Sequence, residues 1–195
     1  MSDPVVPLFP KYAGEADYEG LALDAEAYLA IGTTQARYEL IDGVVVRHPS
    51  PTIARQQALG ELVLQFVGWR RTAPQAFFCQ SIDVKLSDRL VYCADLVAFA
   101  PGRFARMPER LETPPDLVGD VLWGWGSHKD PTRRERDFEA FGVREYWVLE
   151  GPARVRAQLL GAAREERLVE HGVIESLALP GLCVDLERLR EFGAE

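Results

Sequence analysis

Apolar residues recur at every second position in most short segments of this chain and shift to a helical spacing in a few longer ones. Asp42-Gly43 splits the run YELIDGVVVRH into two apolar-rich strands, and that dipeptide is a strong hairpin signal. Before it, LDAEAYLAIG reads as a short helix, with Asp24 placed to cap it and Gly32 to stop it. Beyond Pro49 and Pro51, the residues Ile53, Leu59, Leu62, Leu64, Phe66, Val67 and Trp69 predict a long amphipathic helix from Thr52 to about Arg71. A strand pair follows, about Ala76 to Leu86 and Leu90 to Ala100, turning at Ser87-Asp88-Arg89. Pro101 to Pro115 reads as an arginine-containing loop or short helix, and DLVGDVLW as a further strand. Asp130-Pro131 then opens a helix that runs to Phe141 and stops at Gly142. REYWVLE is a strand, RVRAQLLG, ERLVEHG and VIESLAL form an antiparallel meander, and LPGLCVDLERLREFG ends in a helix.

Two acidic residues interrupt the apolar strands. By alternation, Asp95 in VYCADLVAFA shares a face with Val91, Cys93, Val97 and Phe99, while Asp120 shares one with Val118 and Leu122. A carboxylate among aliphatic neighbours is costly to desolvate unless a cation, a metal or a set of donors pairs with it. The pair therefore reads either as a shared metal site or as two strands that each have a solvated or hydrogen-bonded face. Arg134, Phe138 and Phe141 lie at i, i+4 and i+7 of the following helix. If both phenylalanines pack on the sheet, Arg134 points toward the aspartates, as part of a structural ion-pair network or of an active site.

Composition narrows the class. The chain has 195 residues and a formal net charge of −8, so broad electrostatic affinity for nucleic acid is not expected, although a local basic groove is compatible with that total. Residues 1–20, with Pro4, Pro7, Pro10 and Gly14, read as an N-terminal arm, and residues 21–195 as one domain. No stretch resembles a signal peptide or a membrane span, and Cys79, Cys93 and Cys183 form no CxxC pair, which favours reduced thiols in a cytoplasm. His48, His128 and His171 are isolated, and a Cys93–His128 nucleophilic pair has less to support it than a buried thiol and a loop histidine. Trp123 and Trp125 read as packing or interface residues or as base-stacking groups. Arg103, Arg106 and Arg110 would form a basic stripe on a helix, solvated or tracking a phosphate backbone. Gly124 and Gly126 lack the rest of a phosphate-loop pattern.

The segments RYELIDGVVV, SIDVKLSD, ADLVAFAP, PDLVGDVL, FGVREYWVLE and LPGLCVDL, in this order and spacing, resemble the Uma family of endonucleases within the PD-(D/E)XK, restriction-endonuclease-like superfamily. The resemblance implies an α/β fold with a restriction-endonuclease-like core, a mixed β-sheet flanked by helices, with additional antiparallel strands. It also implies that Asp95 and Asp120 hold Mg²⁺ or Mn²⁺, that Glu39 is an accessory acid and that Arg134 is the cation beside the scissile phosphate. Asp130 matches the aspartate that starts the family's helix. Three departures stand out. Asp120 falls where the family has glutamate and Arg134 where it has lysine, and Trp123-Gly124-Trp125-Gly126 replaces a Ser-Pro-Ser stretch. Arginine stays protonated and cannot act as a base. Lys129 reads as a solvated lysine, or as a compensating cation if its loop folds over the cleft. Two functions follow: a metal-dependent DNA endonuclease, weakened by these changes, or a catalytically inactive relative serving as a binding or oligomerisation module. The candidate partners are DNA and a second copy of the chain, with no membrane.

Overall fold

The structure, a computed structural model, describes residues 17–106, 108–122, 129–151 and 154–191. Its centre is an eight-stranded mixed sheet in the order β2-β1-β4-β5-β6-β7-β8, with β3 also pairing β4. The strands are β1 (Arg37–Ile41), β2 (Val44–His48), β3 (Phe77–Ser87), β4 (Leu90–Phe99), β5 (Leu117–Val121), β6 (Glu145–Gly151), β7 (Arg154–Leu159) and β8 (Glu165–Val169). Among the described strands β5 and β6 pair in parallel, and the other ladders of this sheet are antiparallel. A parallel pair needs a crossover, and helix α3 (Pro131–Phe141) lies in that connection. Among the described residues, no helix is long and apolar enough to cross a membrane.

The helices form where the sequence signals lie. α1 (Ala25–Ala30) is capped by the Asp24 carboxylate, which accepts from the Ala27 N–H. α2 (Ile53–Thr72) is capped by Thr52 and buries Arg55, Leu59, Leu62, Phe66 and Trp69, a stripe at helical spacing. Ile53 and Leu64, read from the sequence as part of the apolar face, are exposed. α3 starts at Asp130, whose carboxylate accepts from the Thr132 and Arg133 N–H groups, and ends at Gly142 in the left-handed region at φ 99°. The hairpin residues Asp42 and Gly43 both have positive φ, as a tight two-residue turn requires.

Two apolar layers sandwich the sheet. One joins α2 to Leu96, Ala98, Leu117, Val121, Trp147 and Leu149, and includes Leu186 and Leu189 of the short C-terminal helix α4 (Leu186–Arg190). The other sets Phe138 of α3 against Val97, Phe99, Val118, Tyr146 and Val148. Tyr92 and Ala94 belong to this second layer as well, so the strict alternation expected along β4 breaks at Asp95. Opposite the break, Gln80 pairs Leu96 and Ile82 pairs Ala94, while Ser81 between them adopts φ 50°. The local irregularity re-aims the side chains.

Two further expectations are corrected. The meander stops at β8: β9 (Val173–Glu175) leaves the large sheet and pairs with β10 (Cys183–Asp185). Buried Glu145 anchors this corner by accepting from Trp147 Nε1, Arg167, the Ser176 hydroxyl and the Ala178 N–H. The arginine stripe does not form, because the described residues between Pro101 and Leu111 are not helical. Arg103 instead donates to the Pro114 carbonyl, and Arg110 pairs with Glu26. Trp123, Gly124, Trp125, Gly126 and His128 lie outside the described residues.

Candidate functional site

One edge of β4 is shared between two partners, and the site occupies the gap between them. β1 reaches β4 only at Leu40–Val91, whereas β5 pairs only with Leu96, Val97 and Ala98. In between, the edge groups of β4 need other partners. The Cys93 N–H donates to Glu39 Oε1 at 2.9 Å, and the Cys93 carbonyl accepts from Lys129 Nζ at 3.1 Å. The Asp95 N–H points at Asp120 Oδ1, 3.4 Å away. Side chains thus complete what a neighbouring strand would otherwise supply.

Within this fork Asp95, Asp120 and Glu39 are at most 1% exposed. Asp95 accepts from Arg55 through both oxygens at 2.7 Å, from Arg37 at 3.0 Å and from the Val121 N–H at 2.9 Å, and it lies 3.2 Å from Lys129 Nζ. Asp120 accepts from Lys129 at 2.6 Å, from Arg134 Nε at 2.7 Å and from the Tyr146 hydroxyl at 2.9 Å. Glu39 accepts from Arg134 at 2.9 and 3.1 Å, and His48 Nε2 lies 3.0 Å from its Oε2 without hydrogen-bonding alignment. Arg134 also stacks 4.1 Å over the Tyr92 ring. Glu39, Arg134 and Lys129 line a cavity of about 210 Å³ together with Ile41, Tyr92, Asp130 and Arg133.

The electrostatics follow from this pairing. Burial works against the Glu39 carboxylate, but Arg134, His48 and Lys129 outweigh it and hold its pKa at about 2. Burial likewise opposes the Asp95 carboxylate, and Lys129, Arg55 and Arg37 bring it well below the usual range. Arg134 stays charged despite burial because Asp120 and Glu39 face it. Four cations, Arg37, Arg55, Lys129 and Arg134, stand against three carboxylates.

The four residues named from the sequence (Asp95, Asp120, Glu39 and Arg134) come together here. Of the two readings of Lys129, the solvated one is corrected: its side chain is 4% exposed and lies over the cluster, because it reaches both aspartates. Sequence reasoning missed Arg37, Arg55 and His48. Arg55 was the most accessible to it, since it continues the buried stripe of α2 at i−4 from Leu59. Arg37 begins the strand that carries Glu39, and no periodicity distinguishes it from a surface arginine.

A second cavity, of about 400 Å³, shares Arg37 and Cys93 with the cluster and is also lined by Asp83. Burial raises the Asp83 carboxyl to about 6, with Glu39 adding to the effect and Arg37 opposing it. A raised folded-state pKa stabilises the protein below the unfolded value and loses that contribution as pH rises through 6. Asp83→Asn is therefore expected to raise stability by about 1–3 kcal/mol at pH 7.5 and to leave it unchanged at pH 4. Urea midpoints at the two pH values decide this, and an equal shift at both would contradict it.

The fold is one also seen in a solved structure. It is similar to the crystal structure described as "a putative nuclease belonging to DUF820 from Anabaena variabilis ATCC 29413", with a TM-score of 0.71 at 14% identity, over 86% of this chain and 97% of that one. The Uma2 family, described as "Putative restriction endonuclease", matches residues 25–187, and the chain belongs to it. No protein of curated function matches the chain.

A divalent metal is the cofactor such a family implies, and the donor set provides a test. Mg²⁺ requires near-octahedral oxygen coordination at about 2.0–2.1 Å. Here the carboxylate oxygens face N–H or O–H donors, and the surrounding cations already outnumber the carboxylates. Among the described residues, no group of three or more His, Cys, Asp or Glu side chains is placed to hold a metal ion. In this arrangement the residues do not fit a divalent ion.

Proposed function

We propose that this chain is an attenuated endonuclease whose site for DNA phosphodiesters is the cluster of Asp95, Asp120, Glu39 and Arg134. The observation that carries the reading is the gathering of Asp95 and Asp120 in the fork between β1, β4 and β5, with Arg134 delivered by the crossover helix. The excess of one cation in the cluster suits an anionic phosphodiester. Arg134 is the phosphate-side cation, presented by Asp120 and Glu39 in a fixed orientation. It holds its proton throughout, so it orients and neutralises the phosphate and does not act as a base.

The same pairing favours a second reading, that of a catalytically inactive relative which binds DNA or a second copy of itself. Its observation is the engagement of all three carboxylates by protein donors. Plasmid relaxation with Mg²⁺ or Mn²⁺ separates the two. The first reading expects slow nicking, reduced at least tenfold by Asp95→Asn. No nicking by the wild-type chain at any metal concentration, with retained shift of a labelled duplex, would leave the second.

A further inference from the structure

We propose that the cavity walled by β1, β3 and β4 is a guanine-selective base pocket, which takes a base turned out of a nucleic-acid strand whose phosphate lies at the neighbouring cluster. The inference rests on the endonuclease reading and names the base which that reading leaves open. The cavity holds about 400 Å³, within the roughly 300–1,000 Å³ usual for small-molecule sites. Three strands each place one polar side chain on its wall: Arg37 from β1, Asp83 from β3 and Cys93 from β4. Tyr28, Ile82 and Leu111 supply apolar surface against which a planar ring can lie.

The polar wall is incompletely satisfied. Among the described residues no N–H or O–H group donates to the Asp83 carboxylate, and the Cys93 thiol that faces it is a weak donor. Lys85 and Arg110, two further cations of the lining, are both engaged by Glu26, at 2.7 and 3.0 Å. Arg37 uses Nη2 for Asp95, at 3.0 Å, and for the Cys93 sulfur, at 3.3 Å. Among the described residues those are its hydrogen bonds, so Nε and Nη1 keep donors for a ligand. A half-buried carboxylate short of donors, beside an arginine with donors to spare, specifies what the ligand must present: two adjacent N–H groups next to a carbonyl.

Guanine presents that pattern. Its N1–H and 2-amino group suit Asp83, and O6 beside them suits Arg37. Adenine and cytosine each set a ring-nitrogen acceptor beside the amino group, and thymine sets a carbonyl on both sides of its N–H. Each of those would bring an acceptor against the carboxylate. A base read by its Watson–Crick edge must leave the stack, so the pocket takes single-stranded or extruded guanine. Arg37 joins the pocket to the cluster, because the residue that would face O6 also holds Asp95. Burial raises the Asp83 carboxyl to about 6, so at pH 7.5 it is mainly ionised and able to accept. That buried charge costs the fold stability, as is expected of a group kept for a ligand.

The test is fluorescence anisotropy at pH 7.5, without added metal, on labelled oligothymidylate strands whose central base is guanine, hypoxanthine, adenine or thymine. The guanine strand is expected to bind at least about tenfold more tightly than the adenine and thymine strands. Hypoxanthine lacks the 2-amino group and should lose most of that gain. Asp83→Asn should abolish the guanine preference. The hypoxanthine strand alters the ligand and not the protein, so the test holds even if that variant does not fold. Equal affinity for all four strands, or none for any, overturns the proposal. So does hypoxanthine bound as tightly as guanine, or a folded Asp83→Asn that keeps the preference. Guanosine 5′-monophosphate bound as tightly as the guanine strand upholds the guanine site and overturns its assignment to a strand. Guanine preference in a chain that never nicks plasmid upholds the pocket and rejects the endonuclease reading. Nicking by the wild-type chain with no base preference does the reverse.

Discussion

Arg134→Met is expected to lower the free energy of unfolding by about 3–5 kcal/mol, read as a fall in the urea midpoint. Methionine keeps much of the volume and the apolar stem, so the loss would report charge rather than a cavity. Arg134 lies between Asp120 and Glu39 and is itself only 2% exposed. Its removal leaves two buried carboxylates short of a partner, and the stacking contact on Tyr92 is lost with it. Breaking a buried pair costs far more than forming it gains, since the partner left behind still carries its desolvation penalty. Combining Arg134→Met with Glu39→Gln and Asp120→Asn should therefore recover a large part of the loss. A single-variant change below about 1 kcal/mol would show that the cluster is more hydrated than its burial indicates.

Acid is expected to have a comparable effect on the unmodified chain. The Glu39 pKa falls from 4.5 to about 2 on folding, and Asp95 falls in the same direction. Depressed folded-state values mean that both contributions are fully present above the unfolded pKa values, near 4, and disappear as pH drops toward 2. At about 1.4 kcal/mol per unit, Glu39 alone accounts for about 3 kcal/mol over that window. Urea midpoints at pH 7, 4.5 and 3 should decline steeply only between the last two. In Glu39→Gln the decline should be shallower, and an identical slope would assign the acid sensitivity elsewhere.

The helices and hairpins were legible because their signals are local. Asp24, Thr52 and Asp130 cap their helices, and Asp42-Gly43 turns its hairpin. Asp95 and Asp120 stood out because an acid in an apolar strand contradicts its surroundings. The rest depends on distant pairing. Alternation put Asp95 on one face with Cys93, and Arg37 reaches both side chains, but it carried that face on to Val97 and Phe99, since it has no way to anticipate Ser81 at φ 50° on the neighbouring strand. Arg37 and Arg55 look like surface cations until the chain brings them 58 and 40 positions along to Asp95. Lys129 was left between a solvated lysine and a cation over the cleft for the same reason: a lone lysine before a helix cap carries no mark of the two carboxylates it will meet. The departure of β9 from the meander is equally non-local, because Glu145 must first be in place to bind Ser176 and Ala178.

That departure leaves β8 as the last strand of the large sheet. An uncovered border strand is a template onto which another chain can zip, and long assemblies grow from such borders. β8 reads Glu-Glu-Arg-Leu-Val, and its two glutamates are exposed or nearly so. A newcomer laying a strand there would have to bring its own backbone against those charges and displace Arg167 from Glu145 and the Glu175 carbonyl. By turning β9 aside, the fold ends its sheet on a border that resists uncontrolled aggregation.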